Sequence, residues 1–241
     1  MISKLPAGWT EHRFDSLGST MDAARDMAES GGGDRVLVRA DMQSGGRGRY
    51  GRPWMSEAGN LYLTVILREN RPLSDCAQLS FAASLALADA IPLDTVRLKW
   101  PNDVLIRGCK TAGILLEAGG EAARPWILIG IGVNVAHHPV DTPYAATSLA
   151  AEGLASDLDA LCRDIALGID HWRGIWHKQG ATALHRAWLD RAKGVGEPIR
   201  VRLRERQLDG VFEALDGDGR LIVRTDDGKR HAIAAGDVFF D

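Results

Sequence analysis

From Gly194 onward the chain can build only short strands. Ile199, Val201 and Leu203 alternate with Arg200, Arg202 and Arg204, a period of two that predicts a half-buried strand. Asp209-Gly210, Asp216 to Gly219 and Asp227-Gly228 then supply turn signals every 8–10 residues. Val211–Leu215, Arg220–Thr225, Arg230–Ala234 and Val238–Phe240 fill the gaps between them. Five short strands are too few for a sandwich and suit an SH3-like barrel. The alternating arginines raise the question of RNA, but residues 196–241 hold eight Lys and Arg against ten Asp and Glu, which fits a solvated strand face better. The expected division is therefore one large unit over residues 1–193 and a small all-β unit over 194–241.

The large unit mixes helix and strand patterns. Ser19 with Asp22 three residues on reads as a capping box that opens a helix to about Ser30, stopped by Gly31-Gly32-Gly33. Strands are expected at 35–40, 61–67, 96–100, 104–106, 110–117 and 126–135, the last two as sheet neighbours. Ser74 is expected to cap a buried Ala- and Leu-rich helix through Ile91. Ser156 is expected to cap a helix whose Leu158, Leu161, Ile165, Ile169, Trp172 and Trp176 recur at helical spacing. A further helix is predicted over 181–192. The fold class is α+β with a mixed sheet.

Composition narrows function by exclusion. A formal net charge of −3 excludes a globally basic nucleic-acid binder. Met1 to Phe14 holds no apolar export signal, and the apolar stretch Trp126 to Ala136 is far shorter than the ~20 residues a membrane span needs. Cys76, Cys109 and Cys162 form no CxxC, so a zinc ribbon or thioredoxin motif is absent and reduced thiols in the cytoplasm are expected. Glycine is in surplus, 27 of 241 residues against a usual share of about 7%.

Part of that surplus sits in Gln43-Ser-Gly-Gly-Arg-Gly-Arg-Tyr-Gly-Arg-Pro-Trp54, with four glycines, three arginines and no acid before Glu57. Such a loop lets backbone N–H groups converge on an anion while Arg47, Arg49 and Arg52 add forked donors for phosphate or carboxylate. Trp54 offers a flat face for a purine. It is not a Walker A loop, because Arg52-Pro53 stands where Lys-Ser/Thr would follow Gly51. Lys99-Trp-Pro-Asn-Asp103 ends a strand in a turn, where Asn102 or Asp103 supplies oxygen for a Mg²⁺ of the kind ATP sites use, or simply shapes the turn. Lys110 leads into a buried strand, either snorkelling at its end or pointing into a site. Gly130-Ile-Gly132-Val-Asn134 places two glycines inside an apolar strand, a mark of close ligand approach, but lacks the third glycine of a Rossmann fingerprint.

Taken in order, these motifs resemble the biotin–protein ligase family. Its Ser-Thr-Asn turn, GRGRxGRxW loop, KWPND, lysine followed by x-A-G-I-L-x-E, and GxGxN strand stand here as Ser19–Met21, Gly46–Trp54, Lys99–Asp103, Lys110–Glu117 and Gly130–Asn134. The resemblance spans nearly the whole chain and implies a catalytic sheet of the class II synthetase type followed by the SH3-like unit. It also implies ATP and biotin as substrates, Mg²⁺, and a biotin carboxyl carrier protein or domain as acceptor. By that resemblance Ser19, Thr20, Met21, Gln43, Arg47, Gly48, Arg49, Lys110, Gly113, Gly130 and Gly132 are expected at biotin. Arg49, Arg52, Trp54, Asn102 and Asn134 are expected at the nucleotide, Arg47, Arg49 and Lys110 in catalysis, and Asp103 at the metal. Met21 departs from the family's asparagine, which leaves its side-chain role open. The Ser-Thr turn at residue 19 leaves no room ahead for the DNA-binding domain of some members, so no repressor role or DNA partner is expected. A homodimer stays open. Two other classes compete: a lipoyl-type ligase or transferase, in which Cys109 would be a nucleophile, and a non-enzymatic biotin sensor or RNA-binding module. His137, His138, His171, His177 and His185 lack metal-ligand spacing and are expected in loops or on exposed helix faces.

Overall fold

A computed structural model describes residues 5–121 and 124–240, so the N-terminal segment read for an export signal begins outside the described residues. Seven strands form one mixed sheet: β1 (Thr10–Leu17), β2 (Val36–Gln43), β3 (Leu61–Arg68), β4 (Val96–Lys99), β5 (Asp103–Ile106), β6 (Cys109–Gly119) and β7 (Trp126–Val133). Their order is β1-β2-β3-β7-β6-β5-β4; β1 runs parallel to β2 and the other pairs are antiparallel. Alternation decides the two faces. Leu61, Leu63, Val65 and Leu67 join the main core, where α3 (Leu79–Ala90), α4 (Leu158–Gln179) and α5 (Ala181–Leu189) pack. Ile66, Val38 and Leu128 point the other way, against Met21, Ala24 and Ala28 of α1 (Thr20–Glu29).

The helix expected over 74–91 is broken. A four-residue turn, α2 (Leu73–Cys76), begins after Pro72 with no side-chain cap, and tight i→i+3 bonds (Gln78 N to Asp75 O, 3.1 Å; Ser80 N to Ala77 O, 3.2 Å) separate it from α3. α3 itself is apolar around its whole circumference and lies so close to α4 that a Cβ at Gly168 would meet Ala86 Cα at 2.8 Å. Asp157, not Ser156, caps α4, its carboxylate accepting from Asp159 N at 2.9 Å. β1 carries no apolar alternation and has no counterpart in the predicted elements.

The C-terminal unit is a five-stranded antiparallel sheet of β8 (Pro198–Arg202), β9 (Gln207–Leu215), β10 (Leu221–Arg224), β11 (Arg230–Ile233) and β12 (Asp237–Phe240), ordered β11-β10-β9-β8-β12. Asp209-Gly210 is not its turn. It lies within β9, where Asp209 faces Arg200 and a Cβ at Gly210 would come within 2.6 Å of Arg224 O. The glycine serves close strand approach, and the chain turns at Leu203–Arg206 instead.

The unit seats its Asp216–Gly219 turn on the larger unit. Trp100 Nε1 donates to Gly219 O (3.2 Å), Gln78 Nε2 donates to Asp218 O (3.0 Å), and Phe81 and His185 close against Gly219. His185 is thus buried rather than on an exposed face, and burial pushes its imidazole below the usual histidine range. His177 is held by the buried Glu69 at 2.9 Å. No helix among the described residues is long and apolar enough to cross a membrane.

Candidate active site

The segments singled out by composition converge on one open cavity. Its walls are the start of α1, the arginine loop, the β4–β5 turn, the glycines of β6 and β7, Tyr144 and Asp237. Antiparallel register sets Gly113 of β6 directly opposite Gly132 of β7, so two neighbouring strands present bare backbone at one spot. The resemblance predicts that a side chain here would strike a ligand ring; protein fills the space first. A Cβ at Gly132 would lie 2.5 Å from the Trp54 indole, one at Gly113 3.1 Å from it, and one at Gly130 2.7 Å from Met21 Sδ. Met21 is therefore a buried part of the cavity wall, packed over Gly130.

Trp54 stands between the cavity and a neighbouring apolar depression lined by Met55, Val140 and Tyr144. Its Nε1 is buried without a hydrogen-bond partner. Such an orphaned donor typically costs about 1–3 kcal/mol, which a ligand acceptor would relieve.

A polar relay lines the deep end. Gln43 Oε1 accepts from Thr20 N (2.8 Å) and Thr20 Oγ1 (3.1 Å), Gln43 Nε2 donates to Ser56 Oγ (3.0 Å), and Thr64 Oγ1 donates to Thr20 Oγ1 (2.9 Å). Ser19 Oγ caps α1 by accepting from Met21 N. Asp22 does not complete a capping box; its carboxylate turns to the loop.

That loop is a narrow hairpin. Arg47 bridges Pro53, Gly48 N donates to Arg52 O (2.8 Å), and Trp54 N donates to Gly46 O (2.9 Å). Tyr50 at φ 59° and Gly51 at φ 70° make its tip left-handed, a strained choice for tyrosine of the kind functional loops tolerate. Its three arginines differ. Arg47 is held by Asp22 through two bonds (2.8 and 2.5 Å), and Asp22 also takes Arg25, which continues to Glu117. The Arg47 hydrogen bonds, with Arg25, hold the Asp22 carboxyl at about 2. Arg52 is held by Asp237 of β12 (3.2 and 2.5 Å); burial opposes ionisation of Asp237, yet Arg52 keeps it below the usual carboxylate range. Arg49 alone of the three has no carboxylate partner, only long bonds to Asn102 Oδ1 and Gly236 O (3.3 Å each) and one to Tyr50 Oη (3.0 Å). The expectation that Arg47 offers free positive charge is therefore corrected: Asp22 neutralises it.

Lys110 points into the cavity rather than snorkelling. Its Nζ lies 2.7 Å from Asp103 Oδ1, with the Trp54 and Tyr144 rings at 5.5 and 5.2 Å. Asn102 donates to Ile114 O (2.6 Å) and so ties the Arg49 contact to β6. Asn134 donates from its amide to Thr147 O (3.1 Å), bracing the loop after β7, and lines the apolar depression rather than the main cavity. Cys109 lies outside the cavity lining. Asp22, Tyr144 and Asp237 were not predicted. An acid three residues after the Ser19 cap was a visible signal for the first; the other two had none.

A model of the biotin/lipoate A/B protein ligase family matches residues 14–134, and one of the biotin protein ligase C-terminal domain matches 194–241. The biotin–[acetyl-CoA-carboxylase] ligase of Paracoccus denitrificans is 39% identical over 84% of this chain and 89% of its own. The chain belongs to the biotin protein ligase family. The Mycobacterium tuberculosis biotin–[acetyl-CoA-carboxylase] ligase is 34% identical over 96% of this chain and 90% of its own. The biotin protein ligase of Aquifex aeolicus, solved in complex with biotin and ATP, superposes with a TM-score of 0.81 over 96% of this chain and 99% of that one, at 23% identity. That likeness carries the fold of this family member. The glycine slot, the arginine hairpin and the Lys110–Asp103 pair belong to this chain's own geometry.

Proposed function

We propose that the protein is an ATP-dependent biotin–protein ligase that makes biotinyl-5′-AMP and passes biotin to a lysine of a biotin carboxyl carrier domain. The observation that carries this is the glycine slot of Gly113, Gly130 and Gly132 leading to Lys110 and Arg49 in one cavity. The unit over 1–193 would be catalytic and that over 194–241 would complete the cavity with Asp237.

Biotin's fused ring would lie against Met21 and Trp54, the side chains that bare backbone at Gly113, Gly130 and Gly132 lets settle onto the sheet, with Ser19, Thr20, Gln43 and Gly48 at its polar edge. Its carboxylate attacks the α-phosphorus of ATP, forming an acyl–phosphate bond and releasing pyrophosphate. Two anions must meet, so Arg49 and Lys110 offset their repulsion and stabilise charge developing at phosphorus. Adenine would occupy the apolar depression by Val140 and Tyr144, with Arg52 and Asn102 toward the phosphates. The acceptor's ε-amine then attacks the acyl carbon, forms the amide and expels AMP. No enzyme nucleophile is needed, which suits the placing of Cys109 outside the cavity.

No group of three or more His, Cys, Asp or Glu side chains able to hold a metal occurs among the described residues. Asp103 still fits a Mg²⁺ that arrives on ATP, since Mg²⁺ commonly takes one or two carboxylates plus substrate phosphates. There Mg²⁺ would supply charge neutralisation, and Asp103 would release Lys110.

Biotin-dependent exchange of pyrophosphate into ATP tests the reading. Exchange with biotin is expected; exchange with lipoate instead would move the protein to the lipoyl class, and exchange with neither would make it a binder.

A further inference from the structure

The arginine hairpin is fastened at both ends by aspartates from different parts of the fold. At one end Asp22, on the third residue of α1, takes Arg47 through two bonds. At the other Asp237, the first residue of β12, takes Arg52 through two bonds. Between these clasps the tip is strained at Tyr50 and Arg49 makes only loose contacts. The hairpin's closed position is thus set by two pairings, one to Asp22 outside the cavity lining and one to Asp237 at its wall. Each bond pair matches the forked guanidinium geometry that favours carboxylates. The Asp22 end is anchored further through Arg25 to Glu117 on β6, so it reaches the sheet itself.

We propose that Asp22 and Asp237 are positioning residues that hold the arginine hairpin shut over the adenylate, retaining this reactive intermediate until an acceptor lysine arrives. Asp22 and Asp237 touch neither reacting group; they act through Arg47 and Arg52. The proposal rests on the adenylation reading above. The clasps are half-exposed ion pairs, so each is weak: the side chains are 29% and 48% accessible at Arg47–Asp22, and 61% and 22% at Arg52–Asp237. Weakness suits a closure that must also open. Breaking one such pair is expected to speed escape about two- to fivefold, the range surface ion pairs allow. Clasps at separate ends should combine, giving about four- to twenty-five-fold for the double variant.

Pyrophosphate release by the full chain with biotin and ATP, without acceptor, reads this directly. Each adenylation yields one pyrophosphate, so the parent gives a burst of one per enzyme and then a slow steady rate set by adenylate escape. Asp22→Asn is expected to keep the burst amplitude, and Asp22→Asn, Asp237→Asn and their combination are expected to raise the steady rate by the factors above. Asp22→Glu should restore most of the parent's slow rate, because a carboxylate is restored. Salt supplies an arm that needs no variant: raising sodium chloride from 0.05 to 0.5 M screens both pairs. It should speed the parent's steady rate while leaving the double variant nearly unchanged. An unchanged steady rate in the double variant, or a salt response equal in parent and double variant, overturns the proposal. So does loss of the burst in variants that melt like the parent, which would put the aspartates in adenylation itself. A parent without any burst would instead overturn the adenylation reading.

Discussion

Gly132→Ala puts the slot to a quantitative test. The added methyl would stand 2.5 Å from both Cε2 and Nε1 of Trp54 and 2.9 Å from Cζ2. Carbon atoms rest at about 3.5–4.0 Å, so the indole must retreat by about 1 Å or more. It cannot slide freely, because Trp54 N is bonded to Gly46 O at 2.9 Å and Arg47 bridges Pro53. Overpacking of this kind costs about 1–3 kcal/mol. The burden should fall on a mobile wall rather than the core, and so on ligand binding. Biotin affinity measured by calorimetric titration is expected to drop about 10–100-fold, while Tm falls by less than about 4 °C, the shift that goes with about 1 kcal/mol in a chain of this size. Gly130→Ala is the control. Its methyl meets Met21 Sδ at 2.7 Å, the end of a flexible thioether that can swing aside, so affinity should stay within about threefold. If the indole transmits the effect, Gly132→Ala should add little in a Trp54→Ala background. Parent-like biotin affinity in Gly132→Ala, or an undiminished loss without Trp54, would refute the reasoning.

Arg49→Gly removes the one hairpin arginine without a carboxylate partner and should both slow pyrophosphate exchange and speed adenylate loss; a variant as retentive as the parent contradicts the loop assignment. Lys110→Met should lower kcat for exchange by about 10²–10³ with a smaller change in biotin KM, as loss of a charge-stabilising group does; a kcat within threefold of the parent's removes Lys110 from the chemistry. Because burial depresses the His185 pKa, the neutral ring is the folded form, and the unfolded chain takes up more protons below its ordinary value of 6.5. That share of stability is full above about pH 6.5 and declines as pH falls toward the folded pKa. The Tm drop between pH 7.5 and 5.5 should therefore be smaller in His185→Gln, and equal drops would show that the ring at the Gly219 seat is not a source of acid sensitivity.

The pattern of residues anticipated the sheet where side chains alternate or run apolar, as in Leu61–Leu67 and Trp126–Val133, and it located the site because glycines and arginines are costly to place without reason. It failed where tertiary contacts override local signals. β1 pairs in parallel with β2 yet shows no alternation of its own. Asp209-Gly210 has turn chemistry but is used for strand approach at Arg224. Asn134 sits in a motif shared with the family, and its amide turns to Thr147, a partner that the motif does not contain. The pairing of Arg47 with Asp22 joins residues 25 apart, and that of Arg52 with Asp237 joins residues 185 apart. Spacing along a chain holds no record of such distances.

The all-round apolar surface of α3 has a consequence for how the chain is made. Its outer face is covered by α4, against which it lies so tightly that Gly168 admits no side chain beside Ala86. Roughly seventy residues separate the end of α3 from the start of α4. At about 5–20 residues per second, a ribosome needs several seconds to deliver that cover. Throughout that interval Leu79 to Ala90 is a greasy segment in water, with no local polar stripe to blunt it. Burial of residues 79–90 is therefore completed only once α4 has been made.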